Sequence, residues 1–174
     1  IPLLPDLAGI IAKIFTSYIY LLYIEKASKL NLNNFYTNFI HHMKKINLIA
    51  EIGWNHMGNI KLAEKMIVAA KKSGADFAKF QTWRVKNLKP GPWDKDGRRK
   101  IYEKAELTKD DYFKLKKICK KNKIKFLTSL FNHEDYELIK HLNLKEIKIP
   151  SPENRNKLLL KFCAKKFDTI FLST

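Results

Sequence analysis

From Asn47 onward the chain alternates short apolar runs with stretches of helical period, and this rhythm constrains the fold more than any other feature. Asn47-Leu48-Ile49-Ala50-Glu51-Ile52 is an apolar run closed by Gly53 and predicts a buried strand. Asn59 is placed to cap a helix over 60–73, with Leu62, Met66, Ile67 and Ala70 on one face and Gly74 just past its end. Asp76 to Thr82 (DFAKFQT) predicts a second strand, followed by a long Trp-, Lys-, Pro- and Gly-rich loop from Trp83 to about Arg99. Thr108, with Asp111 three residues on, predicts a capping box. The helix it starts carries Tyr112, Leu115, Ile118 and Cys119 as its apolar stripe and stops at Asn122. Lys125 to Phe131 predicts strand three, and Asn132 caps a short helix running to Leu142. Glu146 to Ser151 predicts strand four, about Asn156 to Lys166 a helix, and Thr169 to Thr174 strand five.

Apolar strands joined by helices mean parallel βαβ units, and two architectures satisfy that pattern: a doubly wound sheet and a (β/α)8 barrel. No GxGxxG or GxxxxGK[ST] follows a strand, which weakens the nucleotide-binding folds. Polar residues gather at the strand C-terminal ends: Glu51 with Asn55 and His56, Lys79 with Gln81, Thr128 with Ser129, Lys148 with Ser151 and Glu153. Barrel enzymes build their sites on that face. A lysine inside an apolar strand is costly unless it is paired or binds an anion. Lys79 and Lys148 occupy equivalent places near strand ends, which points to one shared anionic ligand; the competing reading pairs each with solvent or with a carboxylate such as Glu51.

The charge is formally +17, from 34 basic against 17 acidic residues. Only four of the basic residues are arginines (Arg84, Arg98, Arg99 and Arg155) and the lysines are scattered, so a Lys/Asn/Ile-biased composition on solvated faces accounts for it better than a nucleic-acid site does. Cys119 and Cys163 form neither a disulfide framework nor a metal knuckle, which fits a reducing, cytoplasmic setting. Residues 1–42 are unlike the rest. Leu7 to Ile24 is apolar apart from Lys13, at the lower edge of a membrane span, and Met43 then opens MKKINLIAEIGWNH like a natural start. The expectation is an upstream leader over 1–42, with a membrane-proximal helix as the alternative, and a working domain over 43–174.

Three blocks carry a resemblance. AEIGWNHMGN (Ala50–Asn59), GADFAKFQT (Gly74–Thr82) and KIPSPE (Lys148–Glu153), in this order, resemble the N-terminal half of the sialic acid synthases, the phosphoenolpyruvate-condensing N-acetylneuraminate synthase family that includes legionaminate and pseudaminate synthases. The likeness runs from about Lys45 to Thr174. It implies an α/β fold of the (β/α)8 TIM barrel type, cut here after about five strands and four helices. It implies a carbon–carbon bond-forming transferase that joins phosphoenolpyruvate to the open-chain aldehyde of an N-acetylhexosamine such as N-acetylmannosamine, releasing phosphate. By resemblance Lys79, Lys148 and Ser151 hold phosphoenolpyruvate, with Thr128 and Ser129 at the end of strand three assisting. Glu51 and Glu153 manage proton transfer and steer the water that attacks C2, and Gln81 lies near the sugar. Asn55 and His56, in the first block, are counted by the same resemblance among the substrate-binding residues.

The same resemblance implies a divalent metal, manganese or magnesium, whose ligands lie outside this segment, and a homodimer for the complete enzyme, so the segment alone is expected to be inactive. Leu130 stands where the family often has proline, and Pro150 and Pro152 flank Ser151 where Gly or Ala is usual, stiffening that turn. Trp83 and Trp93 fit either sugar stacking or loop anchoring. His133 and His141 read as surface residues, Arg98-Arg99 as a solvated pair, and Cys119 as core packing. Two other classes remain open on sequence, a basic nucleic-acid-binding domain and a membrane-anchored protein.

Overall fold

The computed structural model describes residues 47–174. The leader and its apolar stretch at 7–24 lie outside the described residues. Among those described, no helix is long and apolar enough to cross a membrane.

Five strands form one parallel sheet: β1 (Ile49–Gly53), β2 (Phe77–Thr82), β3 (Lys125–Leu130), β4 (Glu146–Ile149) and β5 (Thr169–Leu172). They lie in the order β1-β2-β3-β4-β5, each beside its sequence neighbour. The order never reverses, so the sheet has no switch point of the doubly wound kind. Four helices accompany it: α1 (Ile60–Lys72), α2 (Arg98–Ala105), α3 (Lys109–Lys121) and α4 (Lys157–Lys166). The buried residues of α1, α3 and α4 (Ala63 and Ile67; Tyr112, Leu115 and Cys119; Leu159 and Cys163) join Ala78, Phe80, Phe126, Leu130, Ile147 and Ile149 in one core, so these helices cover a single face of the sheet.

The other face is concave. A flat sheet would hold β2 and β5 roughly 14 Å apart, three strand spacings. Yet the rings of Phe77 and Phe171, which stand on those strands, meet edge to face at 5.8 Å. The sheet therefore curls around its helix-free face. Phe77 and Leu127 are fully buried there and make an apolar floor.

The local chemistry explains most boundaries. Asn59 Oδ1 accepts from Leu62 N–H at 3.1 Å and starts α1. Thr108 Oγ accepts from Asp111 N–H at 3.2 Å while Asp111 accepts from Thr108 N–H at 3.0 Å, the expected capping box of α3. In α1, Leu62 departs from its expected place: Ala63 and Ile67 are buried and Leu62 faces outward. The short helix expected over 132–142 is two 3₁₀ turns, Glu134–Leu138 and Lys140–Leu142. Its entry is pinned by the buried Asp135 carboxylate, which accepts from Arg84 N–H (2.9 Å), Asn87 (2.7 Å) and Asn132 (2.6 Å). Those bonds tie the segment to the loop after β2 rather than leaving it free to wind an α-helix.

Helix α2 was not anticipated, because RRKIYEKA has almost no apolar face and Gly97 gives it no side-chain cap. It forms through packing: Tyr102 and Ala105 join Trp54, Trp83, Val85, Leu88, Trp93 and Phe131 in a second, smaller cluster. The C-terminal turn of α2 also presses against the β1–α1 loop. Gly58 has φ +74°, and a Cβ there would collide with the Lys104 carbonyl oxygen. In the same loop His56 is 1% exposed, and its Nδ1 accepts from Gly58 N–H at 3.0 Å. Burial holds its pKa below the ordinary histidine value, against the raising influence of Asp111 and of the Gly53 backbone.

Two expectations follow. Gly58→Ala should lower unfolding free energy by roughly 1–3 kcal/mol, from the left-handed conformation and the collision together, seen as a lower urea midpoint at unchanged m. The folded pKa of His56 is depressed, so the unfolded chain binds the extra proton first and folding weakens on acidification. Stability should hold above about pH 6.5 and fall as the pH drops below it, and His56→Gln should flatten that part of the profile measured by urea titration.

Candidate active site at the strand C-terminal ends

Strand side chains alternate between faces, so the register decides which residues meet. Glu51 on β1 lies beside Lys79 on β2. One step further along the strands, Gln81, Ser129 and Lys148 lie side by side across β2, β3 and β4. The Lys79 ammonium, 2% exposed, contacts Glu51 Oε2 at 2.8 Å and donates to Ser129 Oγ at 2.7 Å and to the Phe80 carbonyl at 3.4 Å. Burial pulls its pKa below the usual lysine value; Glu51 works in the opposite direction, and the nearby Lys148 charge adds to the lowering. Of the two readings open for the strand lysines, Lys79 takes the carboxylate pairing. Lys148 is half-buried and has no ion-pair or hydrogen-bond partner among the described residues.

These groups line a cavity of about 570 Å³ on the concave side, walled by Glu51, Lys79, Gln81, Ser129, Lys148, Ser151 and Glu153. Ser151 is exposed at the turn after β4, where Pro150 ends the strand and a 3₁₀ turn spans Ser151–Glu153. The opposite wall is aromatic: Trp54, Trp83, Trp93, Tyr102 and Phe131. Three lysines, Lys79, Lys89 and Lys148, face two carboxylates. Glu51 holds Lys79 and Glu153 holds Lys89, which leaves Lys148 as the cation without a partner among the described residues. A small dianion with one polar and one less polar end fits such a cavity electrostatically.

The cavity wall does not include Thr128, Asn55 or His56. Adjacent residues of a strand face opposite ways, so Thr128 and Ser129 cannot both enter the cavity. Ser129 does, while Thr128 shares the helix side with Phe126 and Leu130 and bonds Thr82 Oγ1 at 2.8 Å. The Asn55 amide donates to the Ile52 carbonyl at 2.9 Å, shaping the turn after β1. His56 is turned into the core against Phe80, with ring centroids 5.9 Å apart.

The sequence reading missed Lys89, Asn156, Trp54 and Tyr102. Lys89 Nζ lies 2.7 Å from both oxygens of Glu153, and Asn156 donates to Glu153 Oε2 at 2.7 Å. The signal available was the length of the loop after β2; which lysine in it turns inward was not readable. Both loop tryptophans anchor structure as well as lining the cavity. Trp83 packs edge to face on Tyr102 (5.9 Å) and Phe131 (5.8 Å). Trp93 donates through Nε1 to the Lys89 carbonyl at 2.9 Å and lies under the Arg99 guanidinium. Arg98 and Arg99 pair with Asp96 and Asp94 of their own loop. The thiols of Cys119 and Cys163 are buried, and burial pushes their pKa values up to about 12 and about 11.

A solved N-acetylneuraminic acid (sialic acid) synthetase from Leptospira borgpetersenii serovar Hardjo-bovis, in complex with citrate, superposes with a TM-score of 0.65 at 26% identity, over 73% of this chain and 44% of that one. The N,N'-diacetyllegionaminic acid synthase of Campylobacter jejuni is 39% identical over 143 residues, 76% of this chain and 43% of the relative. The pseudaminic acid synthase of the same organism is 32% identical over 142 residues, 75% and 41%. The chain thus spans less than half the length of these relatives. The NeuB family pattern matches residues 66–174, well over half the chain, and the chain belongs to the NeuB family.

Proposed function

We propose that this chain supplies the phosphoenolpyruvate-binding part of a nonulosonate synthase, which condenses phosphoenolpyruvate with the aldehyde of an N-acetylhexosamine such as N-acetylmannosamine. The observation that carries the reading is the convergence of Lys79, Ser129, Lys148 and Ser151 on one cavity at the strand ends. The unreversed strand order and the curl of the sheet support a (β/α)8 barrel for the whole protein, in which this face is the active-site mouth. The homodimer rests on the family resemblance alone, and the cytoplasmic setting on the two unpaired cysteines. The 39% identity to a legionaminic acid synthase favours the legionaminate member as the second reading.

The reaction consumes a water and releases phosphate. C3 of phosphoenolpyruvate attacks the aldehyde carbon, whose oxygen takes up a proton and becomes a hydroxyl; positive charge develops at C2, water adds there and loses a proton, and the C2–O bond to phosphate then breaks to leave the C2 ketone. Lys148 and Ser151 are placed to hold an anionic end of phosphoenolpyruvate, and Lys79 orients Ser129 and Glu51 toward it. Glu51, exposed on the cavity side, is placed to take the water's proton. Gln81, in the row with Ser129 and Lys148, is placed toward the sugar. The divalent metal that the family resemblance implies would take its ligands from other parts of the protein; among the described residues no group of three or more His, Cys, Asp or Glu side chains could hold a metal ion.

The test uses the full-length protein with phosphoenolpyruvate and N-acetylmannosamine, following phosphate release. Lys148→Ala should lower kcat/KM for phosphoenolpyruvate roughly 10- to 100-fold, the loss of one charge-assisted contact, with partial recovery in Lys148→Arg. A Lys148→Ala enzyme that keeps the parent KM and rate removes that lysine from the site, and absence of any phosphoenolpyruvate-dependent turnover removes the reading.

A further inference from the structure

We propose that Lys89 and Glu153 form a latch that fastens the loop after β2 to the turn after β4, and that this use divides the two cavity carboxylates into a positioning residue, Glu153, and a proton acceptor, Glu51. The division rests on the synthase reading; the latch itself does not.

The two glutamates are held very differently. Glu153 is 5% exposed, and both of its oxygens lie 2.7 Å from the Lys89 ammonium. Oε2 also accepts from Asn156 Nδ2 at 2.7 Å, and Asn156 in turn caps α4 by accepting from Leu159 N–H at 3.1 Å. Three donors occupy about four lone-pair sites of this carboxylate. A cavity water finds at most one free lone-pair site at Glu153, on the Oε1 of a carboxylate that is only 5% exposed. Glu51 has a 53% exposed side chain and one partner, Lys79, on Oε2; its Oε1 accepts nothing among the described residues. A water adding to a substrate carbon meets an exposed, largely free acceptor at Glu51 and a buried, mostly occupied one at Glu153.

The latch also closes a chain of contacts. The Lys89 carbonyl accepts from Trp93 Nε1, and Trp93 packs on Tyr102 of α2 at 5.4 Å. The ion pair therefore sets where the aromatic wall stands relative to Ser151 and Lys148. Lys89 reaches from a 69% exposed position to a buried partner, so the bond is screened on one side only, and breaking it loosens the part of the loop beyond Asn87, the last residue that Asp135 holds.

The experiment takes the full-length protein and five variants: Lys89→Ala, Lys89→Arg, Glu153→Gln, Glu51→Gln and the double variant Lys89→Ala with Glu153→Gln. Limited proteolysis should cut the 83–97 loop roughly tenfold faster in Lys89→Ala and Glu153→Gln than in the parent, with no further gain in the double variant and recovery in Lys89→Arg. In the phosphate-release assay, Lys89→Ala and Glu153→Gln should raise KM while the acidic limb of the kcat/KM profile keeps its midpoint, and Glu51→Gln should abolish that limb. Parent-like cleavage in both latch variants overturns the latch. Cleavage that rises as expected, together with a Glu153→Gln enzyme that loses the acidic limb, overturns the division of roles. Where the parent shows no turnover, the synthase reading fails and the proteolysis arm still decides the latch.

Discussion

The interaction on which the site depends is the Lys79 ammonium set among three strands. A lysine this deep in a sheet is tolerated only where its charge and donors are met. Glu51 comes from β1, Ser129 from β3, and the lysine itself from β2, so meeting that need fixes the lateral order of the strands at the end where the cavity opens. The parallel register does the rest. Glu51 stands beside Lys79, Gln81 beside Ser129 and Ser129 beside Lys148. The bulge between Glu51 and Gly53 shifts the register so that Gly53, at φ +58°, pairs with Phe80 before the chain turns into the β1–α1 loop.

Much of this was legible in the residues. Strand-internal lysines advertise a charged site because nothing else would keep them there, and caps such as Asn59 and Thr108 act through their own side chains within one turn. What was not legible depends on contacts distant in sequence. Helix α2 owes its existence to the tryptophans it packs on, and the 132–142 segment is wound by Asp135 reaching Arg84 and Asn87, some fifty residues back. Thr128 and Ser129 look equivalent in sequence; the pleat separates them, and the phase of the pleat is set by which face the helices cover. Lys89 is one of thirty lysines, and its partner is 64 residues away.

The two apolar clusters divide the labour. The larger one, between sheet and helices, makes the fold. The smaller one, around Trp83 and Tyr102, belongs to the segment between β2 and α3 and gives the cavity its second wall. A wall of this kind tolerates sequence change differently from a core, because each aromatic ring is held by ring-to-ring contacts and a few polar ties rather than by enclosure.

The meeting of Phe77 with Phe171 bears on the electric field of the cavity. Rings and Leu127 fill the space beneath Lys79, so the polarizable solvent that would screen the ammonium groups is present only on the open side. With low-dielectric material below and at the aromatic side, the potential of the lysines is focused outward through the mouth. An anion near that mouth would meet an attraction that added salt weakens from the outside but cannot short-circuit from below, so on the proposed reading the curl of the sheet becomes part of how the site gathers its ligand.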